Sequence, residues 1–592
     1  MTPEGIFTLI LVLLMIGALI TEIRETDVII FSTLGILLLS GVLTPAEAFE
    51  GFSNKGMLTV AVLFILAYAA QQSGFLEAAF DRIMGNGEGI RQSLFKIMVP
   101  VMGLSAFINN TPLVAILTPC VREWAIKHKH APSKFLIPLT YAVTFGGLFT
   151  LIGTSTNLVV NGLLQQQTHE SLGMFELGYV GIPCAIAATL FLAGCGHRLL
   201  PSNPDLAQDY ANAGREYLLE MKVQHTSPLV GKTVEQAGLR NLEKMFLVEI
   251  VSNGTRLAPV KPGDRLKADD YLVFTGVVGA VVQLQKIPGL VPMHETDFYH
   301  HVRKSGQGRI IEAVVSPSSP MLGKTIKEGN FRSRYDAAVL AVHRHGERIP
   351  TKIGEIILKP GDTLLMLAGE SFQKIWNQSR DFYMVSKITD IRDFDKKKSL
   401  ITIIALFGMV GLSAFGVMET FLAAILATIL LLVSRCLTAV EARRALELNV
   451  LIVIACSFGI SRAIEKTGIA TFFAEHIVSG MGIWGPVGVL AAIFLITTAI
   501  TEAITNNAAA ALIFPVAMAA AARLGCDPKP FAIAVAVAAS ASFITTIGYQ
   551  TNMMVSGPGR YKAIDFIRVG LPVKIIYAAV AIPAIASIWR LR

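Results

Sequence analysis

The sequence predicts a polytopic α-helical membrane protein. It is built from two inverted repeats, each with a re-entrant hairpin and a broken helix, around an α+β insert of two tandem domains. Three observations carry this. First, 53% of the 592 residues are hydrophobic and only 16% are charged, against roughly 25% in soluble domains. The apolar residues lie in blocks near the ~20-residue length that crosses about 30 Å of hydrocarbon. The blocks fill 5–200 and 398–590, whereas 201–397 are charged and rich in Gly and Pro. Second, the two apolar blocks repeat each other. Third, the insert repeats itself. The expected domains are 1–200 and 398–592 in the membrane, with 205–297 and 303–390 in the insert.

The first block opens without a basic region, its early charge being Glu4, so 5–21 reads as a retained helix rather than a signal peptide. The six cysteines (Cys120, Cys184, Cys195, Cys436, Cys456, Cys526) lie in or beside apolar segments without a CxxC pair, which suits small packing residues. The formal charge of +8 is a topology signal and gives no reason to expect nucleic acid as a partner.

Four matches join the membrane halves. LTPAEA at 43–48 answers LTAVEA at 437–442, and Ser73-Gly74 answers Thr467-Gly468. FINNTPLVAILTP at 107–119 answers AITNNAAAALIFP at 503–515, with the Asn pairs 397 apart. LIGTSTNLVVNG at 151–162 answers TIGYQTNMMVSG at 546–557. Internal repeats of this kind build many secondary transporters. Crossings are expected near 5–21, 28–43, 57–74, 134–164 and 176–198, with 93–122 entering and returning; an odd number inverts the second half. Lys and Arg near helix ends set orientation. Arg24, Arg82, Arg91, Arg122, Lys127, Lys129 and Lys134 fall on one side, opposite Lys55. Arg435, Arg443, Arg444, Arg560 and Lys562 follow them more weakly in the second half, against Lys466, Arg523 and Lys529. This expects a cytoplasmic insert and both termini outside.

Within the insert, SPLVGKTV at 227–234 answers SPMLGKTI at 319–326, an offset of 92 that Gly254, Arg256, Lys267 and Asp270 keep with Gly346, Arg348, Lys359 and Asp362. FLVEIV (246–251) and TLLMLA (363–368) read as strands, giving two copies of a small sheet with helices. The GKT is not a phosphate loop, which needs Gly where Thr226 and Ser318 stand.

The chemistry sits in the interruptions. Asn109-Asn110-Thr111-Pro112 and Asn506-Asn507 break the first and second hairpins, and irregular backbone at that depth is tolerated where it lines a cavity. Gly153-Thr154-Ser155-Thr156-Asn157 and Gly548-Tyr549-Gln550-Thr551-Asn552 interrupt the next helices. An unwound helix bares carbonyl oxygens suited to Na⁺, and the half-helix that follows bares N–H groups suited to an anion. The plainer alternative is that these polar groups glue helices together. Glu502, four residues before Asn506, either tunes a cation or carries a proton, or else sits paired or exposed at the hairpin surface.

The paired hairpins and the GTSTN/GYQTN breaks resemble the divalent anion–sodium symporter family of the ion transporter superfamily. The resemblance covers about 390 residues of the two membrane halves. The insert resembles two TrkA-C (RCK-C) domains, a combination seen in sulfate-transporter-like members. In that family each tip carries Ser-Asn-Thr and each break a Thr-Pro-Pro-Asn-like element, which hold two Na⁺ and the substrate. Carried over by position, Asn110, Thr111, Asn157, Asn507, Ala508 and Asn552 would meet the substrate. Asn109, Asn110, Gly153, Thr154, Ser155, Asn506, Asn507, Gly548 and Gln550 would meet the cations. This chain has Asn for Ser at both tips and no proline in either break. The resemblance further implies an elevator-type homodimer embedded in lipid, in a bacterial inner membrane, and no enzyme.

The function expected is sodium-coupled uptake of a small divalent anion, sulfate favoured, with a nucleotide as a candidate ligand of the insert. Rival expectations are a dicarboxylate or other oxyanion carrier, a proton-coupled antiporter or arsenite-type exporter, and a gated channel. The channel reading lacks a TVGYG-like filter.

Overall fold

The computed structural model describes residues 2–21, 23–74, 80, 82, 89–203, 218–239, 242, 245–252, 255–257, 260–276, 287–292, 309–316, 318–344, 347–349, 351, 353–368, 372, 381–384, 396–546 and 548–591. The chain forms two compact units. One comprises 1–201, 391–555 and 563–592, the other 202–390 with 556–562.

In the first half of the helical unit run α1 (Pro3–Ile20), α2 (Thr26–Leu39), α3 (Pro45–Phe49), α4 (Lys55–Gln72), α5 (Ile90–Ser105), α6 (Asn110–Lys127), α7 (Leu136–Gly146), α8 (Ser155–Thr168) and α9 (Gly178–Gly194). In the second half run α11 (Lys396–Ala414), α12 (Thr420–Val433), α13 (Ala439–Ala445), α14 (Leu448–Lys466), α15 (Ile469–Met481), α16 (Gly485–Ile500), α17 (Asn506–Leu524), α18 (Pro528–Ala539), α19 (Gln550–Ser556) and α20 (Ala563–Ile588). Among the described residues seven helices are long and apolar enough to cross a membrane.

Local chemistry repeats with the helices. Thr44 and Thr438 each open a short helix with a capping box completed by Glu47 and Glu441. In α5–α6 the chain turns at 106–109, and Pro112 falls in the first turn of α6, where a missing N–H breaks nothing. The region 134–164, read from sequence as one interrupted crossing, is α7 and α8 separated by 147–154. Its counterpart is α18 and α19, separated by 540–549.

Burial sorts these helices into an inside and an outside. Every residue of α7 from Leu136 to Gly146 is buried, as is every residue of α18 from Pro530 to Ala539. Helices apolar all round belong in a core. The outer helices instead expose Leu13, Leu14, Leu39, Leu190 and Val433, a surface suited to lipid. Close approach replaces the hydrophobic effect as the glue between buried helices. A Cβ on Gly146 would lie 2.7 Å from the Met102 Cα, and one on Gly56 2.6 Å from the Leu158 carbonyl oxygen.

The second unit holds two five-stranded antiparallel sheets. The first has β1 (Leu218–Val223), β2 (Met245–Ser252), β3 (Thr255–Leu257), β4 (Tyr271–Gly276) and β5 (Leu290–Pro292), in the order β3-β2-β4-β1-β5. The second has β6 (Arg309–Val315), β7 (Ala337–Arg344), β8 (Glu347–Arg348), β9 (Thr363–Ala368) and β10 (Phe382–Met384), in the order β10-β6-β9-β7-β8. Read backwards, the second order is the first with every strand replaced by its counterpart. Even registers match at 92: Leu219 faces Phe274, and Ile311 faces Met366. The bulge between Leu247 and Glu249 recurs between Val339 and Ala341. A short α-helix of the insert, α10, spans Phe331–Tyr335. The GKT stretches are turns, with Gly231 and Gly323 at φ of +83° and +71°.

Candidate functional site

Each hairpin tip is tied to its own half by two hydroxyls. Ser105 donates to the Val143 carbonyl at 2.7 Å, and Thr501 donates to the Ala539 carbonyl at 2.6 Å. Thr150 donates to the Ala106 carbonyl, as Thr545 does to the Glu502 carbonyl at 2.8 Å. Both pairs place 105–106 opposite 501–502, an offset of 396. The caps agree: Asn109 precedes α6 and Thr505 precedes α17.

This register corrects the sequence reading of the second tip. Asn110 answers Asn506, Thr111 answers Asn507, and Pro112 answers Ala508. Ala508 is 2% exposed and packs into an apolar cluster with Val453, Ile504 and Leu512, not opposite Thr111. The tip triplet is Thr505-Asn506-Asn507. Matching the Asn pairs to each other shifted the alignment by one residue, whereas helix starts set the true equivalence.

The breaks are clasped by their asparagines. Asn157 donates from Nδ2 to the carbonyls of Gly147 and Thr150 at 2.9 and 3.0 Å. Asn552 does the same to Ser542 and Thr545, both at 3.1 Å. With both amide hydrogens committed, Oδ1 points elsewhere. In both residues it is buried without a hydrogen-bond partner, as are the hydroxyls of Thr505 and Thr551. Buried acceptors in that condition are costly unless a donor or cation meets them.

Tips and breaks then cross between the halves. Asn110, 2% exposed, accepts from Ser105 at 2.8 Å and donates to the Tyr549 hydroxyl, which Thr154 also hydrogen-bonds. Thr111 donates to Gln550 Oε1 at 3.3 Å. In the mirror arrangement Ser155 exchanges a hydrogen bond with the Asn507 amide at 3.2 Å, and Thr156 donates to Asn507 Oδ1 at 3.0 Å. Asn506 Oδ1 accepts from the Asn507 N–H at 3.0 Å. Asn109 makes no cap bond and lines a cavity with Phe107, Ile152, Ser155, Leu158 and residues of α4. The glycines make these approaches possible. A Cβ on Gly147 would lie 3.0 Å from Asn110 Oδ1, one on Gly153 2.6 Å from the Gly147 carbonyl oxygen, and one on Gly548 3.1 Å from the Glu502 Cα.

α6, α8 and α17 all start here without a side-chain cap, unlike α3 and α13. Their first N–H groups carry the positive end of each helix dipole. The site therefore combines amide and hydroxyl oxygens with helix ends that no side chain caps.

Sequence reasoning missed Lys574. Its ammonium meets Glu502 Oε1 at 3.0 Å and the Thr498 carbonyl at 2.6 Å. A lone lysine in the run VKIIYAAV was the available signal.

A family model described as citrate transporter, CitMHS, matches residues 12–538. The chain belongs to the citrate transporter family. It is thereby a transporter of the divalent anion–sodium symporter group that its motifs resemble, and an integral membrane protein. Among its relatives is a Chlamydomonas reinhardtii protein proposed as a sulfur deprivation response regulator, 32% identical over 576 residues, covering 95% of this chain and 98% of that one. Sodium/sulfate cotransporter 1 of the same alga is 26% identical over 748 aligned positions, covering 91% of the transporter described here and 84% of its own length. A solved structure of the Alcanivorax borkumensis YdaH transporter aligns with a TM-score of 0.44 at 12% identity, covering 92% of this chain and 87% of that one.

Proposed function

We propose that the protein is a sodium-coupled transporter of a small divalent anion, with sulfate the favoured substrate. The observation that carries this is the reciprocal crossing of tips and breaks. Thr111 meets Gln550, and Asn507 meets Ser155 and Thr156, each at the uncapped or newly started end of a half-helix. An anion between these ends would be held by N–H groups and amides. Asn109, Ser155 and the unpartnered oxygens of Asn157, Asn552 and Thr551 suit Na⁺, which prefers oxygen ligands. The sodium/sulfate name of a relative that aligns over most of its length supports the choice of ion and anion.

The proton-coupled reading would need Glu502 free to exchange a proton. Its carboxylate instead faces donors on every side, including three consecutive backbone N–H groups. Under our reading it holds the second break rather than carrying the coupling proton. The pseudo-two-fold site alternates exposure by movement of the tips and breaks against the outer helices, in a homodimer of elevator type in a cell membrane. The insert lies in the cytoplasm, and its duplicated sheets act as an RCK-C-like regulatory module that takes a nucleotide.

Uptake of radiolabelled sulfate into proteoliposomes is the test. Accumulation that requires an inward Na⁺ gradient is expected. Accumulation that ignores Na⁺ and follows a pH gradient would sink the coupling proposed.

A further inference from the structure

The two halves differ most at one place. Where the first half has Ala106, the second has Glu502, although both residues' carbonyls accept the same threonine bond. Glu502 Oε1 accepts from the N–H groups of Phe543 and Ile544 at 3.0 and 3.2 Å. Oε2 accepts from the Thr545 N–H at 2.9 Å, the Thr545 hydroxyl at 3.0 Å and the Ser542 hydroxyl at 3.2 Å. Thr545 in turn accepts from the Gly548 N–H at 3.2 Å, two residues before α19 begins. The carboxylate is thus wired to the backbone that forms the second break. Lys574 of α20 closes the arrangement at 3.0 Å, with the two side chains 15% and 12% exposed.

A charged pair in such surroundings is seldom kept for stability, since an apolar pair of similar volume does as well or better. We propose that Lys574 and Glu502 are positioning residues that set the affinity of the second half-site for its anion. Glu502 holds 543–545 in the conformation that aims α19 at the anion. Lys574 cancels the negative charge that this device leaves behind the helix end. The first half, with a shorter break, needs neither. This inference rests on the anion-transport reading above.

The mechanism fixes the signs. Lys574→Met leaves an uncancelled carboxylate behind the helix end. One unit charge roughly 10 Å from a divalent anion, at an effective dielectric of about 20, is worth on the order of a hundred-fold change in affinity. The expected result is about a hundred-fold rise in the KM for sulfate, with kcat changed by less than about two-fold. Lys574→Arg keeps the charge and should keep the KM. In the double variant Glu502→Gln/Lys574→Met, the amide oxygen in the Oε2 place keeps the bonds from the Thr545 N–H and the Ser542 hydroxyl, the NH2 gives up the one from Phe543, and no charge remains, so the KM should fall back toward that of the parent. A structural pair alone predicts no such rescue.

The experiment is sulfate uptake kinetics in proteoliposomes for these four proteins, with sulfate-dependent thermal shifts in detergent as a second readout. A folded Lys574→Met variant with unchanged KM overturns the inference and leaves the transport reading intact. A double variant no better than the single one overturns it as well. Parent protein that takes up neither sulfate, succinate nor citrate overturns the transport reading, and this inference with it.

Discussion

Thr111 and Asn507 occupy the same place in the two halves. Each is the second residue of its helix, and each hydrogen-bonds the first residue of a helix in the other half, Gln550 or Ser155. One contributes a hydroxyl and the other an amide. Under the anion-transport reading proposed above, the pair is where the two half-sites would present different chemistry to one ligand, and where substrate choice is expected to reside. Asn507→Ala removes partners from both Ser155 and Thr156 and should raise the KM for the transported anion by about ten-fold, the scale of one or two lost hydrogen bonds. Asn507→Thr should lower that loss and shift the ratio of sulfate to dicarboxylate uptake. Competition uptake assays read both; equal anion ratios in all three proteins would remove this pair from specificity.

Asn157 and Asn552 should matter for stability because each clasps the backbone of its break. Truncating Asn157 to Ala leaves the buried carbonyls of Gly147 and Thr150 without their donor. Each orphaned group costs about 1–3 kcal/mol. A clear fall in the unfolding temperature is expected in detergent. Asn157→Asp, which keeps the shape but loses the donor, should do no better than Ala.

Gly146 is expected to reject any side chain. A Cβ there would sit 2.7 Å from the Met102 Cα and 2.8 Å from its carbonyl carbon, both backbone atoms that cannot swing away. Gly146→Ala should cost about 1–3 kcal/mol by overpacking, while Gly103→Ala, with nothing within 4 Å of its Cβ, should be silent. Monodisperse yield after extraction distinguishes the two.

In the insert, Arg344 grips Asp362 with two hydrogen bonds of 2.7 Å, and Asp362 is fully buried. The pair draws the Arg344 pKa upward, chiefly through that contact. Arg344→Ala strands a buried carboxylate, a loss of about 3–5 kcal/mol for a fully buried pair and somewhat less here, because the arginine is 28% exposed. Limited proteolysis should then cut within 309–384 before it cuts the first sheet. The first sheet has Ser252 at the equivalent position and should be indifferent to Ser252→Ala.

Much of this architecture was legible in the sequence because it is written twice. The 92-residue offset predicted two matching sheets, and strand registers cannot slip by one without turning every side chain to the other face. The breaks at 153–157 and 548–552 were visible as Gly and amides between apolar runs. The tip register was not. Identical Asn pairs favour an offset of 397, whereas the helix starts that decide equivalence give 396. The Tyr549–Asn110 and Lys574–Glu502 contacts join residues 439 and 72 apart, and neither has a local pattern to betray it.

The reciprocal crossing of tips and breaks has the symmetry of an isologous dimer: what the first half gives to the second, it receives back. The side chains of Thr111 and Asn507 take their partners from the other half. A chain of half this length could supply such partners only by pairing with a second copy of itself. The covalent link through the insert makes that pairing intramolecular, and it frees the two copies to drift apart residue by residue, as Ala106 and Glu502 have done.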